Sequence, residues 1–142
     1  MFQEIYISEI DMTNFDFSQV ASINKMFYNC PSLTSINISN SDTSKITSME
    51  NVFKGCKNIR ILDIEGFNTS QVTSMESMFS GCSSLTSLDV QNFNTSNVIS
   101  MKSMYSGSSS LTSLDIQNFN TSNVITMVSM FYKFFIINII KY

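Results

Sequence analysis

Apolar residues recur along this chain in two alternating patterns. In Leu85-Thr86-Ser87-Leu88-Asp89-Val90, the positions Leu85, Leu88 and Val90 are apolar and Thr86, Ser87 and Asp89 are polar. This predicts a short strand that turns three side chains inward and three outward. The following run, QNFNTSN at 91–97, sets turn-forming residues around Phe93. The second pattern is Val72, Met75, Met78 and Phe79, followed by Gly81. That spacing predicts about two turns of helix closed by a glycine. Thr47 to Glu50 and Thr73 to Glu76 have the T-x-x-E form of a capping box, which would start the helix.

These patterns repeat without drift. The first apolar residue of each strand-like stretch is Ile7, Leu33, Ile59, Leu85 and Leu111, a constant step of 26 residues. Five units result, 7–32, 33–58, 59–84, 85–110 and 111–136, between a lead-in at 1–6 and an apolar tail at 137–142. Residues 83–101 and 109–127 differ only at Val90/Ile116 and Ser100/Thr126. One such unit cannot bury its own apolar face, whereas stacked neighbours bury a continuous core. The columns fit stacking: Phe27, Phe53, Phe79, Tyr105 and Phe131 align, as do Met49, Met75, Met101 and Met127 under Ile23. Phe15, Phe67, Phe93 and Phe119 form a second aromatic column interrupted by Ser41.

A repeat opening with LxxLxV, and reading LTSLDVQNFNTSNVISMKSMYSGSS in full, resembles the leucine-rich repeats and more closely the BspA-like surface proteins, over roughly residues 7–131. It departs from ordinary leucine-rich repeats where Phe67, Phe93 and Phe119 stand in place of the pattern's asparagine. With the stacked columns, the pattern predicts an α/β repeat solenoid, leucine-rich-repeat-like and right-handed, with one short strand, a turn and a short helix per unit. The resemblance implies a place on the cell surface or outside the cell, and a role in adhesion or host-protein binding.

Composition narrows the chemistry. The chain is 43% hydrophobic and 13% charged, with net charge -3 and no histidine. It has no basic stripe to neutralise phosphates, so nucleic acid is not an expected partner. The commonest acid–base residue is missing, and no nucleophile elbow or phosphate loop occurs, so catalysis is not expected. The start MFQEIYISEI is unlike a signal peptide, and FYKFFIINIIKY at 131–142 is too short to span a bilayer. FFIINII is apolar and β-prone, a hazard if exposed; it suits a cover for the last coil, a joint to a partner, or the broken end of a longer repeat protein.

Four features invite a chemical reading. Cys30, Cys56 and Cys82 share one column, completed by Ser108. They suit packing first, and a disulfide or a thiolate zinc site second. Asp11, Asp63, Asp89 and Asp115 form an acidic column with Asn37 substituting once. Each carboxylate either bonds to nearby backbone or serves a partner, and neither metal nor cofactor is expected. Asn37-Ile38-Ser39, Asn68-Thr69-Ser70, Asn94-Thr95-Ser96 and Asn120-Thr121-Ser122 fit both turn chemistry and the glycan acceptor pattern. Finally, the strand side presents Thr34, Ser35, Asn37, Arg60, Asp63, Thr86, Ser87, Asp89, Thr112, Ser113 and Asp115. Extended repeat surfaces commonly bind partners, so this face is the candidate site for a host or matrix protein or a glycan. The competing expectation is a spacer that holds other domains away from a surface and binds nothing.

Overall fold

The computed structural model describes residues 2–134 and the backbone of 138–140. Its strands are β1 (Glu9–Asp11), β2 (Ser35–Asn37), β3 (Ile61–Asp63), β4 (Ser113–Asp115) and β5 (Asn138–Ile140). β1, β2 and β3 pair in parallel, with Ile10 beside Ile36 and Ile36 beside Leu62. A second line of parallel bridges joins Ser22, Ser48, Ser74, Ser100 and Thr126. Each 26-residue unit therefore makes one coil lying on the next, and the coils are tied along two sides.

The expected helix is absent, so the α/β solenoid with a helix in each unit is overturned: the described residues contain strands and turns and no helix. The reason lies in where the backbone N–H groups go. A helix needs successive N–H groups to reach the carbonyl four residues back. Instead Met75, Ser77, Phe79 and Gly81 donate to Ser100, Lys102, Met104 and Ser106 of the next coil, at 3.0, 2.8, 2.9 and 2.7 Å. The alternate residues Met78, Ser80 and Cys82 close turns onto Met75, Ser77 and Phe79, three positions back. Apolar residues three and four apart thus come from consecutive turns. These turns place Ser77 at φ 54° and Gly81 at φ 76°, and the same two positions recur in the neighbouring coils as Asn51 with Gly55 and Ser103 with Gly107. A turn with positive φ at its third residue favours glycine or asparagine there, so the glycines expected to end helices end turns instead. The capping boxes do not form either. The Thr73 and Thr47 hydroxyls donate to the preceding coil, at Thr47 and Ala21, and Glu76 pairs with Lys102 at 3.4 Å.

The core follows the columns. Phe2, Phe27, Phe53, Phe79, Tyr105 and Phe131 stack in a nearly parallel ladder, centroids 5.5 to 5.9 Å apart. Phe2 joins it from the lead-in segment. Met49, Met75 and Met101 are fully buried, as are Leu33, Ile59 and Leu85. Phe67 and Phe93 are buried in the second aromatic column, and Ser41 fills its gap by donating its hydroxyl to the Met12 carbonyl at 3.3 Å. Phe15 stands 42% exposed at the edge of the first coil.

At the far end β5 pairs in parallel with β4, Ile139 beside Leu114, a step of 25 residues rather than 26. That part of the apolar tail adds a strand to the last coil. The remainder, 135–137 and 141–142, lies outside the described residues. Among the described residues no helix is long and apolar enough to cross a membrane.

Candidate functional site

The strand face is assembled from the same positions of successive coils. Ser35 and Asn37 lie on β2, Asp63 on β3, and Ser113 and Asp115 on β4. Arg60 precedes β3 and is exposed, as are Thr86, Ser87 and Asp89 in the fourth coil. Parallel pairing of β2 and β3 keeps Asn37 and Asp63 on one side, because residues in register share an orientation.

The carboxylates are held locally. Asp63, Asp89 and Asp115 each accept the N–H two residues on, from Glu65 at 3.3 Å, Gln91 at 3.0 Å and Gln117 at 3.1 Å. Asn37 accepts from Ser39 in the same way at 2.9 Å, which explains its place in the acidic column. In the first coil, the Thr13 hydroxyl at 2.6 Å and its N–H at 2.9 Å hold Asp11 below the ordinary carboxylate range. Each side chain therefore fixes its own turn with one oxygen. At Asp115 the second oxygen accepts from the amides of Gln117 at 3.0 Å and Gln91 at 3.4 Å. The threonines are partly committed as well: the Thr34 hydroxyl donates to Ser8 at 2.9 Å and that of Thr112 to Thr86 at 3.3 Å. Their donor capacity ties coils together.

The face is not uniform. β1, β2 and β3 form one sheet and β4 with β5 another, and Ser87–Asp89 runs between them outside both ladders. Two shallow grooves flank this segment. One, of about 350 Å³, lies against Arg60–Glu65, and the other, of about 370 Å³, against Ser113–Asp115. Arg60 is the one base on this face among the described residues, and Ile61 beside it is 66% exposed. The expected face residues are thus brought together in two groups around a central exposed segment.

The cysteine column is one of packing. Cys30, Cys56 and Cys82 are buried free thiols. The Cys56 thiol donates to the Phe27 carbonyl at 3.0 Å and that of Cys82 to Phe53 at 3.2 Å. Ser108 makes the equivalent bond to Phe79 at 2.6 Å, which accounts for its tolerance in the column. Burial pushes the Cys56 thiol up to about 12 and raises Cys82 as well. Neither supplies a thiolate near neutral pH. Tyr105 is the polar member of the buried aromatic ladder; its hydroxyl has no hydrogen-bond partner among the described residues, and burial raises its pKa.

A buried threonine ladder ties coil to coil, and its members Thr69 and Thr95 lay in the sequence within candidate glycan acceptors. Thr43, Thr69 and Thr95 are almost fully buried. The Thr69 hydroxyl donates to the Asn94 carbonyl at 3.1 Å and accepts the Asn94 N–H at 2.8 Å. Thr43 treats Asn68 in the same way, at 3.3 and 2.7 Å. Asn68, Asn94 and Asn120 meanwhile accept the N–H two residues on, from Ser70, Ser96 and Ser122. In Asn68-Thr69-Ser70 and Asn94-Thr95-Ser96 the tripeptide is thus the turn and its anchor to the neighbouring coil. The signal that could have exposed this was the threonine that recurs at step 26 from Thr43 to Thr121.

The chain matches the family model described as "Mycoplasma protein of unknown function, DUF285" over residues 1–87 and again over 47–139. It belongs to that family. No curated protein and no solved structure matches it.

Proposed function

We propose that this DUF285 member is a non-enzymatic repeat module of the BspA-like kind, which adheres to a host or matrix protein or a glycan through its strand face. The observation that carries the reading is the register of that face. Asp63, Asp89 and Asp115 are each pinned by their own turn and displayed at one position of successive coils. A ligand meeting such an array finds carboxylates already ordered, which lowers the entropic cost of binding. The two grooves beside Ser87–Asp89 add shape to a surface that is otherwise flat. The same role requires no proton shuttle, in keeping with a chain without histidine. The resemblance to BspA-like proteins supports a location at the cell surface or outside the cell.

The test displays the full chain on beads against matrix proteins, glycans and cells. It is run beside a variant carrying Asp63→Lys, Asp89→Lys and Asp115→Lys, whose fold is checked by circular dichroism. Binding by the native chain that is lost in the folded variant is the expected result. Absence of binding in both chains would favour the spacer, and equal binding by both would move the site off this face.

A further inference from the structure

Among the described residues, the backbone ladder is half used at both ends of the stack. Inside the stack, the Met101 and Ser103 N–H groups donate to Thr126 and Val128 of the next coil, each at 2.9 Å. The equivalent groups of the last coil, on Met127 and Ser129, have no acceptor among the described residues. At the other end, the Ser48 and Glu50 carbonyls accept from Ile23 at 3.4 Å and Lys25 at 2.9 Å, while their equivalents on Ser22 and Asn24 have no donor among the described residues. The donors left over at one end therefore have the spacing of the acceptors left over at the other.

The side chains point the same way. Met127 is 48% exposed, whereas Met49, Met75 and Met101 of its column are fully buried. Ile125 and Val128 beside it are 82% and 63% exposed, and Val128 stands where Glu50, Glu76 and Lys102 stand in the coils before it.

We infer that a second copy of this chain docks its first coil on the last coil of another, extending the stack head to tail. The contact is heterologous, so each copy offers two different faces and the assembly grows in a line unless it closes. The chain carries its own competitors for this contact. Phe2 stacks on Phe27 at 5.7 Å, and the Phe2 and Glu4 N–H groups hold the Met26 and Tyr28 carbonyls at 2.8 and 2.9 Å. β5 occupies the edge of β4 that β1 of an incoming copy would pair with. Releasing the arm at Phe2 exposes a full row of acceptors and strengthens association.

Sedimentation equilibrium tests this on the full chain carrying Phe2→Ser, compared with the native chain. The expected average mass of the variant rises above 16.0 kDa with concentration. Its midpoint should lie about tenfold below that of the native chain, the factor set by a competitor of ~1.4 kcal/mol. Two further chains in the same background carry Ala21→Lys with Ile125→Lys, or Ala21→Glu with Ile125→Glu. Both positions are exposed and share one column, so adjacent coils of two copies bring like charges together in either chain alone. Each alone should remain at 16.0 kDa and an equal mixture should associate. The inference is overturned if the Phe2→Ser chain stays at the monomer mass up to ~1 mM. It is equally overturned if each charged chain alone associates as its parent does, or if the mixture stays monomeric.

Discussion

Replacing Thr69 with valine separates shape from hydrogen bonding in this fold. Valine matches threonine in volume and is more apolar, so packing alone predicts a neutral or stabilising change. The structure predicts a loss. Thr69 is 1% exposed, and its single hydroxyl serves both the N–H and the carbonyl of Asn94 in the next coil. Valine removes both bonds and leaves both backbone groups without that partner. Two net hydrogen bonds of about 1 kcal/mol each set a loss of about 2 kcal/mol, rising towards ~3 if water cannot reach Asn94. Thr69→Ser keeps the hydroxyl and removes one buried methyl, at a cost of about 0.8 kcal/mol. Urea unfolding followed by far-ultraviolet circular dichroism reads the difference. With a slope of ~1–3 kcal/mol/M, the valine midpoint should fall by about 1 M and the serine midpoint by less than half of that. A valine variant as stable as the native chain, or more stable than the serine variant, would refute the hydroxyl bridge as the tie between coils.

Three other outcomes follow from the same geometry. Gly81→Ala places a Cβ in ordinary contact with Gly55, 3.6 Å from its backbone, so its cost comes from φ of +76°; a loss of about 1–2 kcal/mol in the same urea assay is expected. Iodoacetamide at pH 8 should label Cys56 and Cys82 only after denaturant is added, because both thiols are buried and raised in pKa, and mass spectrometry of the native chain should show neither site modified within the time that labels the unfolded chain completely. Stability should fall on acidification. The hydroxyls and N–H groups of Thr13, Ser18 and Ser44 lower the pKa of Asp11, Asp16 and Asp42 below 3.8. In that window the unfolded chain binds more protons, so the stabilisation is present above the ordinary value and is lost as pH falls through the folded ones. Melting temperatures measured downward from pH 5 check the sign, and Asp42→Asn should flatten the profile.

Much of the candidate face was legible because register alone places it: a step of 26 puts Asp63, Asp89 and Asp115 on one line whatever the coil's internal shape. The role of each aspartate within its turn was left open beside a partner-binding one, and the bond from the Ser39 N–H to Asn37 shows that the turn needs an oxygen acceptor rather than a charge. The division of the face was not. Residues 83–101 and 109–127 are almost the same words, yet Ser113–Asp115 is a strand paired with β5 and Ser87–Asp89 lies outside both sheets. Identical local sequence cannot encode a difference that arises from neighbours.

The sequence by itself determined the period, the inward columns and the small polar residues that replace charge on the surface. These are one-dimensional facts, and stacking converts them directly into contacts between equivalent positions. Only the tertiary structure decided what the backbone does between columns. Val72, Met75, Met78 and Phe79 have the spacing of a helical face and equally that of consecutive turns. The choice rests on where the N–H groups of Met75, Ser77, Phe79 and Gly81 find their acceptors. An isolated segment has only its own carbonyls, and a helix uses them. A segment lying on an adjacent coil has a second row within reach, and positive φ at Ser77 and Gly81 turns the chain towards it.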